Sequence, residues 1–416
     1  MNRFELKNGI TVYLDPLENT HSICLSLCTW AGPLFEKKQQ NGISHFLEHL
    51  HFRALGNWTQ RRLYFEMEKI GTTLRGTTYN NYLKFEVKVL PQYLLQALNL
   101  LKKVLETNEW KAEDFEAEKA VVLNELNEKY DAAGELALQQ IFKECSYGGS
   151  ILGTEKTVSE LSLKDVLSFK QRIFSASNIS LFVSGAFQTE KLLNLLNQKL
   201  GEYSLSAPVN LLENPICLKA KKIKMLPLAG EFTEAAVSFA IPRRFAEKNQ
   251  AALDLLQCIL GEGVGSLLQR RIREELRLTN CIYTQLDYFG GFAILQINFS
   301  VLTERFLPCL QAVFAIMNGL KKEVDAGDLA AAVPFYAQNR LFELDDPVEK
   351  NAQNILFYFV RGMERPSVSS YCNITAEIIR QLASNLFQPE NAYLTVCSSR
   401  KISVKSLKKQ LKLLNE

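Results

Sequence analysis

"KFEVKVLPQYLLQALNLLKKVL", residues 84–105, decides the fold. Its first six residues alternate charged and apolar, the pattern of a strand with one buried face. Leu90-Pro91 breaks that pattern, and from Tyr93 onward the apolar residues recur at helical spacing. The same order of strand, turn and helix returns in "LQINFSVLTERFLPCLQAVFAIMNGLKKEV", residues 295–324. Tyr93 and Phe306 open the two helices and lie 213 positions apart. A second pair has the same interval. Asn178 in "SNISLFVSG" (177–185) and Asn391 in "ENAYLTVCS" (390–398) each precede an alternating apolar strand. Two pairs with one offset imply two homologous halves. Strands and helices do not alternate strictly in either half. That pattern predicts an α+β fold, with a mostly antiparallel sheet in each half and helices packed on one face. "LSAPVNLLENPICLKAKK", near 205–222, has two prolines and no clear period and reads as a connection. The expected division is a first domain at 1–205, a linker at 206–221 and a second domain at 222–416.

The bulk numbers agree with two domains. A chain of 416 residues, 47% hydrophobic and 22% charged, exceeds what one core of ~250–300 residues holds. The formal net charge is only +3, and no Lys/Arg run resembles a nucleic-acid arm. "KAKKIK" (219–224) and the C-terminal "KSLKKQLK" read as solvated faces. The opening "MNRFELKNGITVYLD" has no apolar core of a signal peptide, and no apolar run approaches the ~20 residues of a membrane span. Nine cysteines are scattered without a C-x-x-C pair. Together these features read as a cytoplasmic chain with reduced thiols.

The chemistry concentrates in "NGISHFLEHLHFRALG" (41–56), which holds three of the four histidines. On a helix, His45 and His49 share one face, with Glu48 beside them. Two imidazoles aimed at one point suit Zn²⁺, and the neighbouring carboxylate can take a proton from a water there. His51 lies about 240° around the helix from His45, so it points elsewhere. A third ligand must come from another segment. "EDFEAEKAVVLNELNEKYD" (113–131) offers Glu118 and Glu125, seven apart on one helical face. Spacing alone does not choose between them. "GEGVG" (261–265) matches no phosphate-binding fingerprint and reads as a flexible loop.

"WAGPLFEKKQQNGISHFLEHLHF" resembles the opening of the insulinase-like, or M16, metallopeptidases. Their His-x-x-Glu-His motif is followed about 75 residues later by a glutamate in a "vvLxE" helix. Here "VVLNE" leaves 75 residues between His49 and Glu125. The resemblance implies His45, His49 and Glu125 as ligands of one Zn²⁺ per chain, Glu48 as general base and Glu118 as a supporting carboxylate. It extends to "LKNGITVYL", to "NISLFVSG" and to the repeat. It implies a zinc endopeptidase that encloses its peptide substrate, the chain forming half of a clamshell. A homodimer and a heterodimer with a homologous chain both fit. So do two alternatives: a catalytic subunit active only with such a partner, and a non-catalytic, zinc-keeping partner subunit. Within "SLLQRRIREELRLTNCIYTQ" (266–285), the resemblance places substrate contacts at Arg273 and Tyr283, with Arg277 as a rival.

The repeat tests the site. Adding 213 to the site positions gives Cys258 for His45, Gly261 for Glu48, Glu262 for His49 and Gln338 for Glu125. The second half keeps no ligand set, so one metal site is expected, in the first half. One segment departs from the family pattern. In "GTTLRGTTYNNYLKF" (71–85), Arg75 stands where the family has asparagine, and Asn81 where it has glutamate. Gly71 and Thr78 fit. The family's strand pairs with substrate backbone, which these changes leave possible.

Overall fold

The computed structural model describes residues 1–128, 133–142, 148–203, 222–289 and 292–415. The linker expected at 206–221 lies outside the described residues. The chain forms two compact units. The first comprises Met1–Lys129, Glu144–Pro215 and Leu341–Gly362, and the second comprises Tyr130–Lys143, Ile216–Arg340 and Met363–Glu416.

In the first unit the strands of the main sheet are β1 (Asn2–Glu5), β2 (Thr11–Pro16), β3 (Ile23–Trp30), β4 (Leu74–Thr78), β5 (Tyr82–Val89) and β6 (Ile179–Gly185). They lie in the order β1-β2-β6-β3-β5-β4. In the second unit, β7 (Ile223–Pro227), β8 (Phe232–Pro242), β9 (Cys281–Phe289), β10 (Phe292–Leu302) and β11 (Ala392–Ser398) lie in the order β9-β10-β8-β11-β7. Read from its other edge, the second sheet repeats the first without β1. β2 and β6 pair in parallel, as do β7 and β11, and every other pairing in both sheets is antiparallel. The offset of 213 holds at some elements and shifts at others: Ile43–Arg53 and Gln250–Gly261 start 207 apart, and Ala112–Glu128 and Ala326–Phe342 are 214 apart. β6 and β11 are 213 apart at both ends, and so are the helices Leu163–Ile173 and Ala376–Leu386.

The alternation in residues 84–89 does the work expected of it. Leu83, Phe85, Val87 and Val89 enter the first core, under a helix at Leu94–Glu106. Leu295, Ile297, Phe299 and Val301 do the same in the second, under Phe306–Lys322. Each core lies between its sheet and the helices on one face.

The opposite face of each sheet carries one more helix, from the other half of the sequence. Pro347–Asn354 belongs to the first unit. There Asn351, fully buried, donates to Cys24 O at 3.0 Å and Phe182 O at 3.1 Å. Ala133–Ile141 belongs to the second unit, where Ala133 and Ala137 pack on Ala236 and Cys397. A Cβ at Gly134 would lie 2.6 Å from Asn298 Oδ1, so glycine permits this close approach. The two sequence halves and the two compact units thus differ by a reciprocal exchange of one helix.

Candidate metal centre

α1 (Ile43–Arg53) carries the histidine cluster. Ile43, Phe46, Leu47 and Leu50 bury one face in the first core, which turns His45 and His49 towards a second helix. That helix, α2 (Ala112–Glu128), carries Glu118 and Glu125. His45 Nε2 and His49 Nε2 lie 3.2 Å apart. Glu125 Oε2 lies 3.3 Å from His49 Nε2 and 3.8 Å from His45 Nε2. A tetrahedral ion with bonds of ~2.0–2.1 Å sets its ligand atoms about 3.3–3.4 Å apart. The three donor atoms therefore fit one zinc ion, as a triangle of nearly the required size. Among the described residues this is the one group of three His, Cys, Asp or Glu side chains that converges in this way.

Glu118, two turns before Glu125, does a different job. Its Oε1 accepts from His49 Nδ1 at 2.8 Å. That bond places the ring proton on Nδ1 and leaves the Nε2 lone pair facing the cluster. Burial pulls the His49 pKa down. The hydrogen bond and charge of Glu118, then the charges of Glu125 and Glu48, outweigh it and leave the pKa raised.

Glu48 points to the edge strand β4. Thr78 Oγ1 donates to Glu48 Oε2 at 2.6 Å. A Cβ at Gly76 would lie 2.7 Å from Glu48 Cγ, so only glycine leaves the carboxylate its place. Burial lifts the Glu48 pKa above the usual carboxylate range. Thr78 and His49 oppose that rise and Glu125 adds to it. A cleft of about 640 Å³ opens beside Glu48 and His49, walled by Phe52, Leu63, Met67 and Leu74.

His51 faces away from the cluster. Its Nδ1 lies 2.7 Å from Leu47 O, its Nε2 lies 3.2 Å from Val104 O, and its ring packs between Phe85 and Trp110. Burial pushes its pKa down to about 3, so it is a neutral core residue.

The other expected residues are located as follows. Arg75 stands opposite Glu86 in the β4–β5 register, and Asn81 is buried just before β5. Arg273 lies in the helical turn Gln269–Glu275, its guanidinium 3.4 Å from Glu274. Tyr283 is exposed on the edge strand β9. Arg277 is the one described non-glycine residue with a left-handed backbone, at φ 51°, and its carbonyl accepts from Arg305. Sequence reasoning assigned no role to Thr78, Gly76 or the buried Glu36. Thr78 and Gly76 share a strand face, and that period of two was the available signal.

The profile described as "Insulinase (Peptidase family M16)" matches residues 11–155, and that described as "Peptidase M16 inactive domain" matches residues 160–333. The chain belongs to peptidase family M16. A relative in Rickettsia felis, described as an uncharacterized zinc protease, is 24% identical over 93% of this chain and 95% of its own. A probable mitochondrial-processing peptidase subunit beta of Arabidopsis thaliana is 24% identical over 70% of this chain and 58% of its own. A protease from Helicobacter pylori shares the M16 fold with a TM-score of 0.86 at 19% identity, over 95% of this chain and 99% of that one. No helix among the described residues is long and apolar enough to cross a membrane.

Proposed function

We propose that this M16 chain is a zinc-dependent endopeptidase with one metal site. The observation that carries this reading is the triangle of His45, His49 and Glu125 donor atoms, with Glu48 on the same helix. The two imidazoles and Glu125 would hold the ion. Bound zinc supplies a Lewis acid for the scissile carbonyl and lowers the pKa of water towards ~7. Glu48, held by Thr78, accepts a proton from the attacking water and returns it to the leaving amine. Glu118 holds His49 in the tautomer that keeps Nε2 free. β4 lies at the edge of its sheet, and an extended peptide would add to it through main-chain bonds, beside the cleft at Glu48. The family resemblance assigns further substrate contacts to Arg273 and Tyr283.

A second reading follows from the relatives. One is named as a subunit, and residues 160–333 match the inactive-domain profile. The chain would then work as a homodimer, or as a catalytic subunit active only beside a homologous chain. Glu48 speaks against a non-catalytic, zinc-keeping role, because a site that only holds metal needs no base.

The test is metal content by mass spectrometry on wild type and Glu125→Gln, with both assayed on a quenched peptide library. One zinc per chain in wild type, lost together with cleavage in the variant, supports the reading. Stoichiometric zinc without cleavage directs the search to a missing partner chain. Absence of zinc from a protein purified and reconstituted with it overturns the proposal.

A further inference from the structure

We infer that Glu36 is a positioning residue for the metal-binding helix: it fixes where α1 begins, and so where His45 and His49 present their Nε2 atoms. The inference rests on the reading of those histidines as zinc ligands. It starts from a deficit. α1 has no side-chain cap, Gly42 occupies its N-cap position and its first turn holds no acidic residue. The first amides of a helix have no partner within it and must find one elsewhere.

Glu36, six residues upstream, supplies that partner. Its Oε2 accepts from Gly42 N at 2.8 Å, and its Oε1 accepts from Ser44 N at 2.9 Å. Oε2 also accepts from Asn41 Nδ2 at 2.8 Å. The carboxylate is 6% exposed and sits at the positive end of the helix dipole. Ser44 immediately precedes His45, and its own Oγ accepts from Gly32 N at 2.7 Å. Asn41 is tied further: its Nδ2 donates to Ser150 O and its carbonyl accepts from Thr157 Oγ1, each at 2.8 Å. Gly42 has φ 95°, and a Cβ there would lie 2.7 Å from Leu152 O. The start of α1 is therefore held on three sides, with Glu36 at the centre.

Small shifts matter here. One residue along a helix is a rise of ~1.5 Å and a turn of ~100°. Metal bonds tolerate about 0.2 Å.

The test is a Co²⁺ titration of the metal-free full chain, followed by visible d–d absorption and by competition with a chelator. Wild type, Glu36→Gln and Glu36→Asp are compared, with Asp254→Asn in the second unit as a stability control. Melting temperatures are recorded for each. Glu36→Gln should bind Co²⁺ about 10–100-fold more weakly, the range for residues that orient ligands, with altered band intensities. Glu36→Asp should recover part of both. Asp254→Asn should melt lower and bind as wild type does. Wild-type affinity and spectrum in Glu36→Gln overturn the inference, however far its melting point falls. Should Glu36→Gln not fold, Glu36→Asp decides alone: its shortened carboxylate should weaken binding and change the spectrum, and no change overturns the inference. A wild-type chain that binds no Co²⁺ overturns the zinc reading and the role of Glu36 together. Binding left intact in both Glu36 variants removes only the latter.

Discussion

The two units solve one packing problem in different ways. In the first, α1 and α2 meet through two imidazoles and two carboxylates. In the second, the corresponding helices are α3 (Gln250–Gly261) and α4 (Ala326–Phe342), and a phenol joins them. Tyr336 Oη on α4 lies 2.8 Å from Glu262 Oε2 and 3.0 Å from Asp254 O. Its ring stacks on Tyr371 at 5.1 Å, and the Tyr371 hydroxyl donates to Asp254 Oδ2 at 2.9 Å. Burial, with Asp254 and Glu262 nearby, holds the Tyr336 pKa far up, so the phenol stays protonated and donates. Cys258 on α3 is also kept as a neutral thiol: burial and Glu262 push it up to about 12. Ordinary hydrogen bonds thus suffice to join these helices. The fold manages without histidines at this junction in the second unit, as the proposed metal-binding role of His45 and His49 requires.

That contrast breaks most easily at the ligands. His45→Ala should abolish both zinc binding and peptide cleavage, whereas Glu262→Ala should leave both at the wild-type level. Metal analysis and the peptide assay on the two variants check this, and an active His45→Ala protein would erase the distinction. Glu48→Gln separates base from ligand. Zinc should remain stoichiometric while kcat falls about 10²–10⁴-fold. Full turnover in that variant would move the base elsewhere. Glu118→Gln should lower zinc affinity by about 10–100-fold, since the amide grips the His49 ring less firmly. Chelator competition measures it. An unchanged affinity would reduce Glu118 to a charge without a positioning role.

The repeat was legible where the two copies kept element lengths as well as patterns: β6 and β11 match residue for residue at an interval of 213. The proposed ligand pair was legible because i, i+4 spacing on a helix is a local rule. Glu125 was not local. Spacing left it level with Glu118, resemblance chose it, and the structure shows the two on different nitrogens of His49. Glu36 had no signature, since a loop acid that caps a later helix follows no period. The exchange of Ala133–Ile141 for Pro347–Asn354 was equally silent. Apolar periodicity says that a helix buries one face, and leaves open which sheet receives it. Thr78 and Gly76 fall between these cases. Their shared strand face was readable, but Glu48 as its occupant depended on how α1 crosses β4.

The smallest predicted effect is the sharpest control. Tyr336→Phe removes one hydroxyl from the second unit and keeps the ring that stacks on Tyr371. Glu262 loses a donor but keeps partial access to water, so the cost belongs at the low end for a broken buried hydrogen bond, about 1 kcal/mol. For a unit of this size that is a fall of about 2–4 °C in the melting point of the metal-free protein. Removing zinc from wild type should also lower the melting point, because an ion that binds only the folded chain stabilises it by mass action. The two losses should add, since they act in different units. Zinc affinity and kcat of Tyr336→Phe should match wild type. A change in either would mean that the phenol network reports to the metal centre, and the two helix junctions would then be one coupled device.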